Sequence, residues 1–384
     1  MTPSGPLNGL TILDLSRVLA GPYCTMVLAD LGARVIKVEV PDTGDDARHF
    51  GPFVNGKSAY FMSLNRGKES IALSLKNPDD RKVFEGLVTK ADVLVENYRP
   101  GTMDKLDYGW PTLQNLNPRL IYAAVSGFGH TGPYRTRAAY DMVVQAMGGI
   151  MSVTGQPGSD PVRVGTSIGD ITAGLFGLAG ILSAVIDRQR TGKGMMVDVG
   201  MLDCQVAVLE NAIARYVASG EIPTPLGARH PSITPFEAFK TADDFIIVAA
   251  GNRSLFEKLC DAIERPDLAA DPEFETNDLR TQNHEQLKRE IEVTLVTRNA
   301  SEWLDIIGGV GVPCGPINNI AQVVSDPHVI ARNMIIEADD PGAGAFRMAG
   351  NPIKLSAFDD PKQRSAAPDL DADRETILAC LNID

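Results

Sequence analysis

The sequence predicts an α/β protein, with a large Rossmann-like domain built on a parallel sheet and a smaller α+β domain. Over the first 220 residues, short apolar segments alternate with helix-length segments. This alternation is typical of a parallel sheet covered by helices on both faces. After Gly220 the pattern changes, because residues 221–235 contain four prolines. Such a stretch indicates a linker, and a hairpin with several helices follows it.

Apolar runs and the turn residues beside them predict the strands and helices of the large domain. Gly21-Pro22 opens the first helix, Asn77-Pro78 supplies a cap and first-turn proline for the second, and residues 191–194 form the turn before the last strand. The strands are predicted at 11–15, 34–39, 70–75, 92–96, 120–126 and 195–199. The helices are predicted at 21–31, 77–89, 140–148, 171–188 and 202–218. Residues 42–67 are polar and glycine-bearing, and we expect a long functional loop there.

The small domain is predicted to begin with a hairpin of residues 236–241 and 245–249, followed by three helices. Those helices are expected at 254–262, 284–298 and 301–307. From about residue 320 the sequence is irregular, with strand-like stretches at 334–337 and 346–349 and a final helix at 374–381. No internal repeat is visible.

The charge balance argues against several classes of function. The net charge of −13 is unfavourable for nucleic acid or an anionic membrane. Basic residues nevertheless cluster at predicted strand ends, where parallel sheets bind ligands. Solvated surface charge is one explanation, and a site for a phosphorylated ligand such as a nucleotide or coenzyme A (CoA) is the other. The residues concerned are Lys37, Arg66, Lys68, Lys76, Arg99, Lys105, Arg135 and Arg137.

Cysteine and histidine usage indicates a cytoplasmic protein without a metal site. The five cysteines form no CxxC pair and the five histidines have no metal-ligand spacing. The N-terminus lacks the features of a signal peptide. The longest uncharged run, 171–186, is expected to be too short and too glycine-rich for a membrane span.

Asp170 stands alone before that uncharged run, in which Gly174, Gly177 and Gly180 recur every third residue. This spacing predicts a buried helix that another backbone approaches closely. Asp170 then lies at the helix start, where it is either an N-cap or an ionised carboxylate available as a nucleophile. The local sequence alone does not choose between these two roles.

Two further motifs have competing interpretations. Residues 127–132 match GxGxxG after a strand, which is typical of dinucleotide binding. However, Pro133 follows instead of an apolar helix, so a dehydrogenase is disfavoured. Tyr140-Asp141 opens the next helix, either as a substrate-positioning pair or as a core tyrosine beside a helix-start aspartate.

Several long segments resemble the class III CoA-transferase family, the CaiB–BaiF group. The resemblance extends almost from end to end of the chain. It rests on LDLSRVLAGP (13–22), LGARVIKVE (31–39), LNRGKESIALSLK (64–76), ADVLVENYRPG (91–101), NPRLIYAAVSGFG (117–129), YDMVVQAMGG (140–149), SIGD (167–170), TGKG (191–194) and VPCGPINN (312–319).

The resemblance implies that Asp170 is the catalytic nucleophile. The family moves CoA between carboxylic acids through aspartyl anhydride and aspartyl-CoA thioester intermediates, so acyl-CoA is a substrate and no cofactor is bound permanently. Tyr140 and Asp141 are implied to shape the acyl pocket. The resemblance further implies that CoA lies along Val18, Ala20, Leu73, Lys76, Asn97, Tyr98, Arg99, Lys105 and Arg137. Val40 replaces an arginine that contacts the nucleotide in relatives.

The same family includes alpha-methylacyl-CoA racemases, which form the alternative function. Those carry a His-Asp pair where this chain has Tyr140-Asp141, and a Glu near the position of Asn252. A racemase needs two bases across the α-carbon, and neither Tyr140 nor Asn252 is one at neutral pH. A silent CoA-binding protein is a further alternative. Among the transferases, the small domain is similar to those that use succinyl-CoA and dicarboxylic acids, whereas Leu19 replaces a glutamine of formyl-CoA transferases.

The family fold implies an interlocked homodimer. Its domain order implies a large domain at 1–220, a linker at 221–235 and a small domain at 236–319. A second linker at 320–333 would lead to a C-terminal segment, 334–384, that returns to the large domain.

Overall fold

The structure is a computed structural model that describes residues 5–381, and these residues divide into two units. The first unit contains residues 5–151, 163–221 and 327–381. The second contains residues 152–162 and 222–326. Asp170 and the helices and strands around it lie in the first unit.

A six-stranded sheet forms the centre of the first unit, and all of its strand pairs are parallel. Its strand order is β5-β2-β1-β6-β7-β8. The predicted α/β fold with a parallel sheet is therefore confirmed. The strands of this sheet are β1 (Thr11–Asp14), β2 (Arg34–Glu39), β5 (Glu69–Ala72), β6 (Val93–Glu96), β7 (Ile121–Ser126) and β8 (Met196–Gly200). A small hairpin of β3 (Phe53–Val54) and β4 (Lys57–Ser58) lies between β2 and β5 in the chain.

Successive strand residues point to opposite faces of this sheet, and both faces are buried. Leu13 and Leu94 belong to a core that includes Phe84 and Tyr108. Ile12 belongs to the core on the other face. Because both faces are covered, apolar residues occupy successive positions of these strands, as at Ile12-Leu13 of β1 and Val93-Leu94-Val95 of β6.

Ten helices lie between residues 5 and 220. They are α1 (Ala20–Asp30), α2 (Ala59–Asn65), α3 (Pro78–Lys90), α4 (Thr102–Lys105), α5 (Trp110–Leu116), α6 (Asp141–Met147), α7 (Ile150–Val153), α8 (Ile168–Thr191), α9 (Met201–Val208) and α10 (Glu210–Ser219). Most predicted helices are present with small changes in their ends. The predicted helix at 202–218 is two helices, α9 and α10.

The segment predicted as a long loop at 42–67 contains regular structure. It has a 3-10 turn at Asp46–His49, the β3–β4 hairpin and α2. Ser58 caps α2 by accepting a hydrogen bond from the N–H of Phe61. Helix α2 was not predicted because it is only seven residues long and the segments on either side of it are rich in glycine and polar residues.

Helix α8 packs along α1, and its glycines allow the close approach. A Cβ on Gly174 would lie 2.8 Å from the backbone oxygen of Ala20, and one on Gly180 would lie 2.6 Å from Val197. The prediction of a thinned helix face is confirmed. By length and composition α8 is apolar enough to cross a membrane, and half of its most apolar 18-residue window is buried. The expectation that the uncharged run is too short for a membrane span is wrong, since the helix around it extends from Ile168 to Thr191. The helix packs on α1 and on the sheet, as a core helix does.

The second unit is α+β. Strands β9 (Phe236–Lys240) and β10 (Phe245–Ala249) form the predicted antiparallel hairpin, and β11 (Cys314–Pro316) adds to β10. Its helices are α11 (Arg253–Ala262), α12 (Pro266–Ala270), α13 (Asn277–Gln282), α14 (His284–Leu295), α15 (Ala300–Gly309) and α16 (Ile320–Ser325), with a 3-10 turn at Pro272–Phe274. One core of buried side chains, including Phe256 and Trp303, holds these elements together.

The C-terminal part of the chain belongs to the first unit. It contains α17 (Pro327–Ala331), the strands β12 (Ile335–Asp340), β13 (Gly344–Ala349) and β14 (Gln363–Arg364), and α18 (Arg374–Ala379). Asp371 accepts a hydrogen bond from the N–H of Ala72, and Asp373 accepts one from the N–H of Ser70, both in the edge strand β5. These contacts cover the exposed edge of the large sheet. The last residues of the predicted C-terminal segment, 382–384, lie outside the described residues.

Candidate functional site

A cavity of about 390 Å³ opens at the carboxyl ends of the central strands, and we call it the Asp170 cavity. The loops after β1, β6 and β7 form its walls, and Asp170 lies in it. This position is where ligands bind in parallel sheets. Eight of the predicted site residues line it, namely Val18, Ala20, Asn97, Tyr98, Arg99, Arg137, Tyr140 and Asp170.

Asp170 lies inside the first turn of α8, because that helix begins at Ile168 with Ser167 as its N-cap. The possibility that Asp170 is itself the cap is therefore wrong. Burial, and then the negative charge of Asp141, raise the pKa of Asp170 to about 7. Among residues 5–381, no hydrogen bond is donated to its carboxylate. The group is thus poised between its neutral and ionised forms near neutral pH, with its oxygens available.

Asp141 holds the beginning of α8 in place. It is the first residue of α6, and its Oδ1 accepts a hydrogen bond from the N–H of Gly169 at 2.8 Å. Its Oδ2 accepts one from Gln145 at 2.7 Å and lies 4.0 Å from an Arg163 nitrogen. A Cβ on Gly169 would lie only 2.9 Å from Asp141 Oδ1. Asp141 therefore acts as a cap for α8 from another helix, and it does not line the Asp170 cavity.

The two tyrosines near Asp170 differ in burial. Tyr140 is the N-cap residue of α6 and is 80% exposed, although it lines the cavity. Tyr60 on α2 was not singled out from the sequence. Burial, followed by the charges of Asp170, Asp45 and Asp141, raises the pKa of Tyr60 to about 12. Its hydroxyl therefore stays protonated at neutral pH. No local motif marks it, because α2 reaches this region only through tertiary packing.

Three arginines make the Asp170 cavity cationic despite the acidic chain. Arg17 lies over the ring of Tyr98 and 3.3 Å from Asp46. Arg137 lies over the ring of Tyr134, with its guanidinium carbon 4.7 Å from the ring centroid. The third is Arg99. Guanidinium groups are well suited to phosphate oxygens.

A neighbouring cavity of about 310 Å³, which we call the Leu73 cavity, shares Tyr98 with the first. It contains the predicted residues Leu73 and Lys76, together with Val40. Its walls are mainly aliphatic, from Leu15, Val38, Leu75 and Leu106. Lys105 lines neither cavity; it is an exposed residue at the end of α4, next to Leu106. The structure thus brings the predicted residues into two adjoining cavities, apart from Lys105 and Asp141.

The GxGxxG segment does not form a dinucleotide loop. The next helix, α6, begins only at Asp141, nine residues after Gly132. The N–H of His130 is instead bonded to the carboxylate of Asp198 at 2.9 Å. In the second unit, Asn252 caps α11 by accepting a hydrogen bond from the N–H of Leu255. Both segments therefore have structural roles in the fold.

Within residues 5–381, no group of three or more His, Cys, Asp or Glu side chains is arranged to hold a metal ion. The five cysteines are free thiols, of which Cys24, Cys204 and Cys260 are buried.

Comparison with known proteins identifies the family. Residues 7–374 match the model of CoA-transferase family III. The chain is 48% identical over 370 residues to an acetyl-CoA:oxalate CoA-transferase of Acetobacter aceti, covering 96% of this chain and 94% of the relative. It is 40% identical over 354 residues to a human succinyl-CoA:glutarate CoA-transferase, covering 92% and 81%.

A solved structure shows the same fold. It is the crystal structure of a CAIB/BAIF family protein from Brucella suis, with a TM-score of 0.86 and 40% sequence identity. The alignment covers 99% of this chain and 100% of that one. The chain therefore belongs to CoA-transferase family III, the CaiB/BaiF group, and is a CoA-transferase that uses CoA thioesters as substrates.

Proposed function

We propose that this enzyme moves CoA between carboxylic acids and that Asp170 is its nucleophile. The observation that carries the proposal is the position of one carboxylate. Asp170 lies partly buried in the first turn of α8, in a cavity lined by three arginines, and its oxygens accept no hydrogen bond from residues 5–381. A carboxylate in that position is available to attack an acyl carbon.

The proposed reaction begins when an Asp170 oxygen attacks the thioester carbonyl of the donor. The C–S bond breaks, CoA thiolate leaves, and an anhydride joins Asp170 to the donor acyl group. The thiolate then attacks the Asp170 carbonyl carbon, which releases the donor carboxylate and leaves an Asp170–CoA thioester. The acceptor carboxylate attacks the carbonyl carbon of that thioester, the C–S bond breaks, CoA thiolate leaves again, and a second anhydride joins Asp170 to the acceptor. Thiolate attack on its acceptor carbonyl releases the new acyl-CoA and restores Asp170.

The residues around Asp170 have distinct tasks in this scheme. Asp141 fixes the start of α8, and therefore the position of Asp170, through its bond to Gly169. The N-terminal end of α8 carries a partial positive charge that favours negative charge on the attacking group and on the oxyanions. Tyr140 contributes to the wall where the acyl group would lie. Burial of the cavity limits attack by water on the anhydrides.

For the binding of CoA, we propose that Arg99 and Arg137 face the phosphates. The aliphatic Leu73 cavity, with Lys76 at its wall, would hold the adenosine end. Val18, Ala20, Asn97 and Tyr98 would lie along the rest of the molecule. Lys105 is exposed beside the Leu73 cavity and would act by charge alone.

We propose a dicarboxylic acid as a substrate, with succinyl-CoA as the first donor to test. Two of the relatives act on dicarboxylic acids by name, glutarate in one and oxalate in the other. Leu19 stands where formyl-CoA transferases have a glutamine, but the relative from Acetobacter aceti is named for oxalate, so oxalate belongs in the acceptor panel. Cytoplasmic location stays a proposal based on the sequence.

An interlocked homodimer is proposed as the working form, with residues 221–235 and 320–333 as the connections between the two domains of each chain. Helix α10 supports this proposal because none of its residues is buried although Tyr216 and Val217 are large and apolar. Leu175 and Phe176 on α8 are also each 45% exposed. An apolar surface of this kind is typical of a protein interface.

The proposed function is tested by measuring the intact mass of the protein after mixing with succinyl-CoA, followed by peptide mapping. A CoA-sized increase on the Asp170 peptide is expected, and it should be absent from Asp170→Asn. Transfer to glutarate, oxalate and mesaconate is then measured. Tight CoA binding without any adduct, together with exchange of the α-proton for deuterium, would instead indicate the racemase. Binding without either reaction would indicate a silent CoA-binding protein.

A further inference from the structure

The segment between β1 and α1 is held by buried side chains at successive backbone groups. The N–H of Ser16 donates to Asp14 Oδ1 at 3.0 Å, and its carbonyl accepts from Lys37 Nζ at 2.8 Å. The N–H of Arg17 donates to the side-chain Oδ1 of Asn97 at 2.8 Å. The backbone carbonyl of Arg17 accepts a hydrogen bond from Nδ2 of the same side chain at 2.7 Å. Each backbone polar group from the N–H of Ser16 to the carbonyl of Arg17 thus has a side-chain partner.

Val18 continues this pattern in a strained conformation. Its N–H donates to Asp45 Oδ1 at 3.0 Å, and its φ is 67°. A β-branched residue rarely adopts this left-handed region, and it persists there only where the surroundings fix it. Asp45 is in turn fixed by an ion pair with Lys37 at 2.9 Å, and both side chains are fully buried. The three side chains of Lys37, Asp45 and Asn97 form what we call the Val18 clamp.

The electrostatics of the clamp favour its charged form. Burial alone would raise the pKa of Asp45, but the charge of Lys37 and hydrogen bonds from Lys37 and from backbone N–H groups outweigh burial and lower it. Asp45 is therefore an ionised acceptor, which makes its bond to the Val18 N–H stronger than one between neutral groups.

The strained turn determines where the wall of the Asp170 cavity lies. Helix α1 begins at Ala20, two residues after Val18, and both residues line that cavity. The chain folds back tightly, since a Cβ on Gly21 would lie 2.2 Å from Ser16 Cβ. Ala20 also lies against Gly174, one helical turn beyond Asp170. A relaxed Val18 would therefore displace the wall beside the nucleophile.

We propose that Lys37, Asp45 and Asn97 are positioning residues for acyl-CoA binding, which act by holding Val18 in its left-handed conformation. The proposal rests on the proposed function of the Asp170 cavity. It assigns Asn97 a role in addition to lining the cavity, because its side-chain oxygen and one amide hydrogen are bonded to the backbone of Arg17. It also gives the buried Lys37–Asp45 pair a purpose in ligand binding.

The test measures the Kd of CoA by calorimetry for Asp45→Asn, Asn97→Ala, Val18→Gly and the double variant Val18→Gly/Asp45→Asn. The apparent Kd equals the intrinsic Kd divided by the fraction of the protein that is in the binding conformation. If the clamp keeps that conformation populated, loss of the clamp lowers this fraction and raises the apparent Kd. We expect about a tenfold rise for Asp45→Asn and for Asn97→Ala. Glycine adopts a positive φ readily, so in the Val18→Gly background Asp45→Asn should raise Kd by less than about threefold.

A matched control is Asp30→Asn, which weakens another buried ion pair of the first unit, Asp30 with Arg66 at 2.7 Å. It should lower Tm by an amount similar to Asp45→Asn and leave the Kd of CoA unchanged. The inference is overturned if the clamp variants keep the wild-type Kd, or if Asp45→Asn raises Kd equally with and without Val18→Gly. Failure of the proposed function would look different, since wild-type protein would then bind CoA but form no Asp170 adduct.

Discussion

At the scale of single residues, the proposed chemistry depends on how one carboxylate is kept both reactive and in place. Asp170 is partly buried and next to Asp141, and these two conditions raise its pKa to about 7. Asp141 is also the residue that fixes Gly169 at the start of α8. Asp141, which fixes the position of the proposed nucleophile, therefore also makes ionisation of Asp170 more difficult.

The pH dependence of adduct formation follows from that pair. In the proposed mechanism only ionised Asp170 attacks, so the rate at low acyl-CoA concentration should rise with pH to a plateau, with a midpoint near 7. Asp141→Asn removes the like charge but keeps an oxygen for the Gly169 N–H, so the midpoint should move to lower pH. Rapid-quench mass spectrometry measures the rate. Asp160→Asn, which changes an exposed carboxylate, should leave the midpoint unchanged; an unshifted midpoint in Asp141→Asn would contradict the assignment.

Stability should depend on the same group. The pKa of Asp170 in the folded protein lies above the ordinary value of 3.8. The contribution of Asp170 to the free energy of unfolding is therefore most favourable below pH 4 and is lost as the pH rises through 7. Asp170→Asn should therefore be more stable than wild type at pH 8, by about 1–3 kcal/mol. The difference should shrink towards pH 5. Urea unfolding of both proteins at pH 8 and at pH 5 tests this. An equal difference in free energy of unfolding between the variant and wild type at the two pH values would refute it.

At the scale of elements, the contact of α8 with α1 is what brings Asp170 to the cavity wall. Gly174 and Gly177 lie on the face of α8 that meets α1, but they differ in the room beside them. A Cβ on Gly174 would lie 2.8 Å from the Ala20 oxygen, whereas one on Gly177 would meet Val125 at 3.5 Å and Cys24 at 3.7 Å. The first distance requires a backbone to move, and the second is ordinary contact.

The same substitution should therefore have opposite effects at these two positions. Gly174→Ala is expected to lower the free energy of unfolding by about 1–3 kcal/mol, because it separates the helices. Gly177→Ala is expected to raise it by up to about 1 kcal/mol, since alanine favours the helix and fits. Chemical denaturation of the pair tests this, each variant serving as the control for the other. Equal effects of the two substitutions would show that α8 and α1 do not pack as described.

At the scale of the whole molecule, the apolar side chains left exposed on α8 and α10 indicate a further partner. Residues of this kind include Phe176 on α8 and Val217 on α10, the latter 76% exposed. An interlocked homodimer would cover them, as the family resemblance implies.

Light scattering after size exclusion should therefore give a mass twice that of the 41.2-kDa chain. The mass should persist on dilution to nanomolar concentration, because interlocked chains separate only on unfolding. Val217→Asp should reduce the yield of folded dimer, whereas Val293→Asp, at an exposed valine of α14, should not. A stable, active monomer would overturn the proposed assembly.

The sequence by itself determined the parallel sheet, the helix that follows Asp170 and the family. The strand Ile121–Ser126 was found to within one residue at each end, because a strand buried on both faces leaves a nearly continuous apolar run in the chain. Asp170 was found because it is an isolated charge before a long uncharged segment, and because the SIGD motif resembles that of a known family.

Only the tertiary structure decided what fixes and tunes that site. Asp141 caps Gly169 from 28 residues away, and Asn97 holds Arg17 from 80 residues away. The charge of Asp170 acts on Tyr60, which lies on a helix within a segment predicted as loop. Such contacts join elements that are distant in the chain, and they leave no local periodicity or spacing from which they could be predicted. The burial that raises the pKa of Asp170 is likewise a property of the assembled elements and not of any one segment.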